Sequence, residues 1–205
     1  MPITSTILLS LTWIIYFCIH SLLASLTCKR YVAQHWLYLA PAYRLLFNLI
    51  SIILLFIPLR LQSHYAGEAL WQWQGVSAVI MNGLAVVAAF TILWTLKYYD
   101  GTDFSGLKQL REDMTDVLDQ ERFVISPLHR FVRHPWYFLI LIVLWTRSMD
   151  QATLISTVLI TLYLVIGSRL EENKLLIYHG EQYRHYRSQV PGLFPLPWKY
   201  LKTAV

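Results

Sequence analysis

The sequence predicts an all-α, polytopic membrane helical protein: about five transmembrane helices and a cytoplasmic C-terminal helical cap. Three observations predict it. Of the 205 residues 56% are hydrophobic and 14% charged, and mean hydropathy is +0.45, a balance found in membrane proteins. Apolar runs recur along the chain, several near the ~20 residues that cross a bilayer. Lys and Arg alternate between the connecting loops. Of 17, only Arg60 and Arg147 fall on one side and the other 15 on the opposite side. Positive charge is retained on the cytoplasmic face, so this bias predicts an outside N-terminus and a cytoplasmic C-terminus. The net charge of +5 then reports topology, and nucleic acid is not an expected partner.

The first span runs from Ser5 to Leu26 and carries His20 and Ser21 near its end. No basic stretch precedes it and no cleavage pattern follows, so it reads as a retained span rather than a signal peptide. Thr27 to Arg44 is a polar, aromatic loop. The second span covers Leu45 to Leu59, with Asn48 and Ser51 inside and Pro58 near its end. Trp71 and Trp73, in the next loop, suit a membrane–water interface. The third span is Gly75 to Leu96. Lys97 to Pro135 is the long polar segment, with six Lys/Arg and seven Asp/Glu. Met114, Val117 and Leu118 at helical spacing predict an amphipathic helix in it. A hairpin follows, Trp136 to Thr146 and Ala152 to Ser168, both arms short for a full crossing. A helix with Leu170, Leu175, Leu176 and Ile177 on its apolar side comes next, stopped by Gly180. A short helix, Glu181 to Gln189, precedes a proline-rich tail.

Chemistry-bearing residues collect at the two ends of the last hairpin, which the chain returns to one level. Arg133 and His134 stand just before Pro135, which fits the first turn of a helix because its missing N–H is not needed there. An arginine at a helix start favours an anionic group, while Arg133 and Arg130 snorkelling to lipid headgroups explains the same residues. Glu171 and Glu172 mark the other end. Arg169 and Glu172, at i,i+3, would pair on one helix face and Glu171 and Lys174 on another. A carboxylate beside aromatic faces also suits a cation such as a sulfonium. Tyr183 and Tyr186 share a face as site residues or as interfacial anchors. His20 is explained by function or by a hydrogen bond to Asn48 or Ser51. The sequence has no glycine-rich phosphate loop and no Cys/His set with metal spacing. Cys18 and Cys28 read as free thiols.

Four short motifs occur in order: Val132-Arg133-His134-Pro135-x-Tyr137, then after two apolar arms Glu171-Glu172-x-x-Leu175, Gly180-x-x-Tyr183-x-x-Tyr186, and Val190-Pro191-x-x-x-Pro195. They resemble the isoprenylcysteine carboxyl methyltransferase and phospholipid methyltransferase superfamily over residues 122–197. The N-terminal half matches loosely. There His20-Ser21-Leu22-Leu23-Ala24-Ser25 resembles a branch that includes thiol methyltransferases and membrane proteins associated with nitrogen-oxide metabolism. The sequence departs from the family pattern at Phe138-Leu139-Ile140, where a glycine is usual, and at His179, where an aromatic is usual.

The resemblance implies N-terminal transmembrane helices and a cytoplasmic loop over 1–121 and a methyltransferase core over 122–205. It implies S-adenosyl-L-methionine as cofactor and a bacterial inner membrane as location. Cofactor contacts would fall on His134, Tyr137, Glu172 and Tyr183, and catalytic roles near the substrate on Arg133 and Glu171, with no metal. The acceptor would be a carboxylate, thiol or amine of a small or lipophilic molecule; a lipid-soluble one would enter sideways from the bilayer, and membrane lipid is a further expected partner. The alternative is a non-enzymatic membrane accessory protein of the same fold, in nitrogen-oxide or respiratory metabolism.

Overall fold

The computed structural model describes residues 1–115 and 125–202, and the chain is all-α. Among the described residues eight α-helices form in order: α1 Ile3–Ala24, α2 Leu26–His35, α3 Tyr43–His64, α4 Gly75–Thr95, α5 Gly101–Ser105, α6 Leu107–Arg111, α7 Pro135–Trp145 and α8 Gln151–Gln189. Among the described residues the strands are limited to Ala69–Trp71 and Met149–Asp150. Four helices, α1, α3, α4 and α8, are long and apolar enough to cross a membrane, and α7 is a shorter apolar helix. One arm of the last hairpin is therefore as short as the sequence predicts. The other is not. Its apolar run continues as helix through the charged Arg169–Glu172 stretch, so α8 is far longer than its apolar part. Met114 lies in irregular backbone after α6, while Val117 and Leu118, and with them the predicted amphipathic helix, lie outside the described residues. So does the boundary between 121 and 122.

The chain divides into two compact units. The first comprises the described residues of Met1–Leu70, Tyr99–Asp119 and Met149–Leu159. Here α1 packs on α3, and the buried Trp13 donates its ring N–H to Ser156 Oγ at 2.8 Å. Ser25 ends one helix and starts the next. Its hydroxyl donates to the Leu22 carbonyl at 2.6 Å and accepts from Cys28 N–H at 3.1 Å, supplying the cap that the first N–H groups of α2 need. Asp100 caps α5 through Thr102 and Asp103 N–H. The start of α3 grips the end of α5. Arg44 donates to the Asp103 carbonyl at 2.8 Å, and Asn48 Nδ2 to the Phe104 and Ser105 carbonyls at 3.1 Å each, filling acceptors a short helix leaves open. Asn48 thus turns its amide to α5 rather than serving His20, whose ring lies 5.2 Å from that of Phe47.

The second unit comprises the described residues of Trp71–Tyr98, Gln120–Ser148 and Ile160–Val205. Here α4 packs on α7. The small buried residues Ala85 and Ala88 permit close helix approach, as membrane helices use. Trp136 donates to Thr95 Oγ1 at 2.8 Å and Arg147 to Asn82 Oδ1 at 3.1 Å, tying the two helices at both ends. Within α8, Gly180 adopts φ +50°, ψ −124°. That conformation suits glycine and breaks the helix where the sequence places its stop. After the break Tyr183, Tyr186, Val190 and Leu201 form a buried cluster with Leu175 and Leu176 against it. Leu170 and Ile177, expected on the same apolar side, are exposed instead.

Candidate active site

The site lies within the second unit and is built by closing the tail onto the start of α7. Arg133 N–H donates to the Pro191 carbonyl at 2.9 Å and His134 N–H to the Gly192 carbonyl at 3.1 Å. Farther along, Leu201 N–H donates to Arg130 O at 2.8 Å, and the Arg130 guanidinium donates back to the Leu201 and Lys202 carbonyls. His134 precedes α7 in a non-helical conformation and Pro135 takes the first helical position. The Arg-His pair is thereby held out of the helix, facing the chain that returns from α8.

Glu172 is the centre of what they face. Its Oε1 accepts from Arg133 Nε at 2.9 Å and Nη2 at 2.7 Å, and lies 3.2 Å from His134 Nε2. Its Oε2 lies 3.3 Å from Arg187 Nε. The Arg133 and Glu172 side chains are only 11% and 9% exposed. The remaining donors of Arg133, on Nη1, go to the Arg187 and Val190 carbonyls, which end α8. Gly192 lets the tail come this close. A Cβ there would lie 3.2 Å from Arg133 Nη2 and 3.7 Å from Glu172 Oε1.

His134 joins the two glutamates. Its Nδ1 lies 3.5 Å from Glu171 Oε2 while Nε2 faces Glu172. Both ring nitrogens meet carboxylate oxygens, so the doubly protonated ring satisfies both whichever way the ring is turned. Burial alone pulls the His134 pKa down, but hydrogen bonds and charge from Glu171 and Glu172 outweigh it, and His134 titrates above the ordinary histidine value. The neighbouring His129 goes the other way. Burial and the His134 charge push it down to about 4, and its Nδ1 bonds Ser126 Oγ at 2.8 Å. Tyr137 stacks on His134 with centroids 5.3 Å apart and donates its hydroxyl to Glu171 Oε2 at 3.0 Å.

A cavity of about 540 Å³ adjoins this cluster. Arg133, Arg169, Glu172 and Arg187 supply its charge, and Leu193 and Phe194 an apolar wall. The structure thus brings together five of the six residues singled out in the sequence: Arg133, His134, Tyr137, Glu171 and Glu172. Tyr183 sits in the buried cluster beside Tyr186 (centroids 5.9 Å), one layer behind. The predicted Arg169–Glu172 pairing is replaced, because Arg133 and His134 approach from a distant part of the chain and occupy the carboxylate. Arg187, Gly192 and Phe194 were not recognised from sequence. The only signal for Gly192 was a glycine next to Pro191.

Comparison with known proteins agrees with the motifs. The chain is 29% identical to a methanethiol S-methyltransferase of Crocosphaera subtropica over 157 residues, covering 73% of this chain and 58% of that protein. It is 28% identical over 145 residues to methanethiol S-methyltransferase 1 of Bradyrhizobium diazoefficiens (63% and 49%) and 29% identical over 147 residues to the Mycobacterium tuberculosis protein of the same name (63% and 59%). The chain therefore spans about half the length of the curated relatives it matches. No family model matches, and no solved structure matches. From its motifs and its relatives together, the chain is similar to the methanethiol S-methyltransferases, consistent with the thiol methyltransferase-like branch of the isoprenylcysteine carboxyl methyltransferase superfamily.

Proposed function

We propose that this chain is an integral membrane methyltransferase that uses S-adenosylmethionine, methylates a small thiol, and carries its site on the cytoplasmic face of a bacterial inner membrane. The observation that carries the reading is the buried Glu172 carboxylate, fixed by two arginines and a histidine on the wall of a cavity. The names of the relatives support the reaction class and the thiol. The residues present fit the cofactor. A volume of about 540 Å³ lies in the range of small-molecule sites, roughly 300–1,000 Å³. The Phe194 ring offers a face to a purine or to a sulfonium, and Gly192 leaves the space a Cβ would fill.

S-adenosylmethionine, when bound, supplies an electrophilic methyl group. The chain's own residues orient, shield and handle the proton. Arg133 fixes Glu172 rather than reaching for an anionic nucleophile, because its Nε and Nη1 donors and one face of Nη2 are already engaged. His134 bridges the two carboxylates, Tyr137 holds Glu171, and Tyr183 backs them. Glu171 is the exposed carboxylate of the pair, its side chain 47% exposed. It is our candidate to take up the proton released as a thiol becomes a thioether, standing beside the cavity wall rather than on it. Alignment and exclusion of water are the main contributions expected of such a site.

The test is transfer itself. Detergent-purified chain is incubated with methyl-labelled S-adenosylmethionine and methanethiol, and labelled dimethyl sulfide is collected from the headspace. Product with the wild type and a loss of about 100-fold or more in Glu172→Gln is expected. Folded protein that neither binds the cofactor nor forms product would return the accessory-protein reading to first place.

A further inference from the structure

The cavity wall carries more positive charge than the fold consumes. Arg133 and Glu172 neutralise one another. Among the described residues Arg169 has no ion pair and no side-chain hydrogen bond, since the carboxylate it was spaced to meet is taken by Arg133, His134 and Arg187. Arg187 meets Glu172 with Nε 3.3 Å from Oε2, and its side chain is 45% exposed. Like Ser168 and Asn173, both residues line the cavity. They sit on the two helical segments either side of the Gly180 break, so the break is what brings them to one wall.

We infer that Arg169 and Arg187 form an anion-binding subsite on this cavity, one that takes a carboxylate or a phosphate. The guanidinium fork matches the oxygens of both groups, and a concave wall concentrates the field of the two charges. Two sources present this chemistry: the amino-acid carboxylate of the methyl donor, which rests on the function proposed above, and the phosphate of an anionic lipid.

The first experiment needs neither source. Thermal unfolding of the full chain in a zwitterionic detergent is followed with sodium phosphate and with sodium chloride at matched ionic strength. Ligand binding to the folded state raises the midpoint, and a phosphate-specific rise of about 2 °C or more is expected. The rise should vanish in Arg169→Gln and in Arg187→Gln. It should persist in Arg184→Gln, whose guanidinium pairs with the exposed Glu181 away from the cavity. No rise in the wild type, or an equal rise in the two cavity variants, overturns the subsite. The source is then read in two arms. Tenfold weaker calorimetric binding of decarboxylated S-adenosylhomocysteine than of the intact molecule, with the gap closed in Arg187→Gln, assigns the carboxylate. Loss of the phosphate effect in phosphatidylglycerol nanodiscs but not phosphatidylcholine ones assigns the headgroup. A phosphate effect without any S-adenosylhomocysteine binding would sink the methyl-donor reading and leave the subsite standing.

Discussion

The two units each contain an arginine that grips a carboxylate and the carbonyl end of a helix. In the first unit Arg44 reaches Asp103 Oδ1 at 3.3 Å and its carbonyl at 2.8 Å. In the second, Arg133 reaches Glu172 and the carbonyls that end α8. A glycine stands at each contact, Gly106 against Arg44 and Leu45, and Gly192 against Arg133 and Glu172. The surroundings differ. The Arg44 and Asp103 side chains are 22% and 45% exposed, against 11% and 9% for Arg133 and Glu172. The second cluster also holds a histidine, a further arginine and a cavity. The first has what a fastening requires. The second has more buried charge than fastening requires, which is the mark of a site.

That contrast is broken or sharpened by four substitutions and a titration. The largest effect is expected from Glu172→Ala. It strands a buried arginine, a change that costs on the order of 3–5 kcal/mol, whereas Asp103→Ala should cost about 1 kcal/mol or less because solvent screens the charges. Chemical unfolding in detergent measures both, and equal losses would erase the distinction. Next is Gly106→Ala. Gly106 has φ +89°, and an added Cβ would meet Leu45 N at 2.5 Å. Left-handed strain alone costs roughly 1–3 kcal/mol, and here backbone must also move. Gly192→Ala should cost less stability, about 1 kcal/mol as mild overpacking, yet weaken cofactor binding more than Gly106→Ala does. The reverse order would move the site elsewhere.

The smallest effect is a pH dependence. His134 has its folded pKa raised above 6.5, so its contribution to stability is complete below that ordinary value and is lost as pH climbs through the raised one. The difference in midpoint between wild type and His134→Gln should be flat in acid and shrink in mild alkali. A difference that grows with pH would mean that His134 is held neutral.

Much of this was legible in the sequence for physical reasons. Hydropathy and length placed α1, α3 and α4, because bilayer thickness sets both. Pro135 and Gly180 marked a start and a break, since backbone chemistry there is local. The partner of Glu172 was not legible. Spacing along one helix offers Arg169 at i,i+3, but a carboxylate is claimed by whichever donors packing brings closest, and Arg133 arrives from 39 residues away. For the same reason Arg187 and Phe194 stayed hidden: only the fold of the tail onto Arg133 and His134 makes them neighbours of the cavity. The spacing of Tyr183 and Tyr186 leaves a site role and an interfacial anchor equally open. Spacing shows that two rings share a face, not whether that face meets a ligand or the buried cluster it joins here.

The most direct measurement is calorimetric binding of S-adenosylhomocysteine to the detergent-purified chain, wild type beside Glu172→Gln and Asp103→Asn. Binding in the micromolar range that is lost in Glu172→Gln and kept in Asp103→Asn is the result expected. No binding by folded wild-type protein, or binding indifferent to Glu172, would contradict a cofactor cavity organised around that carboxylate.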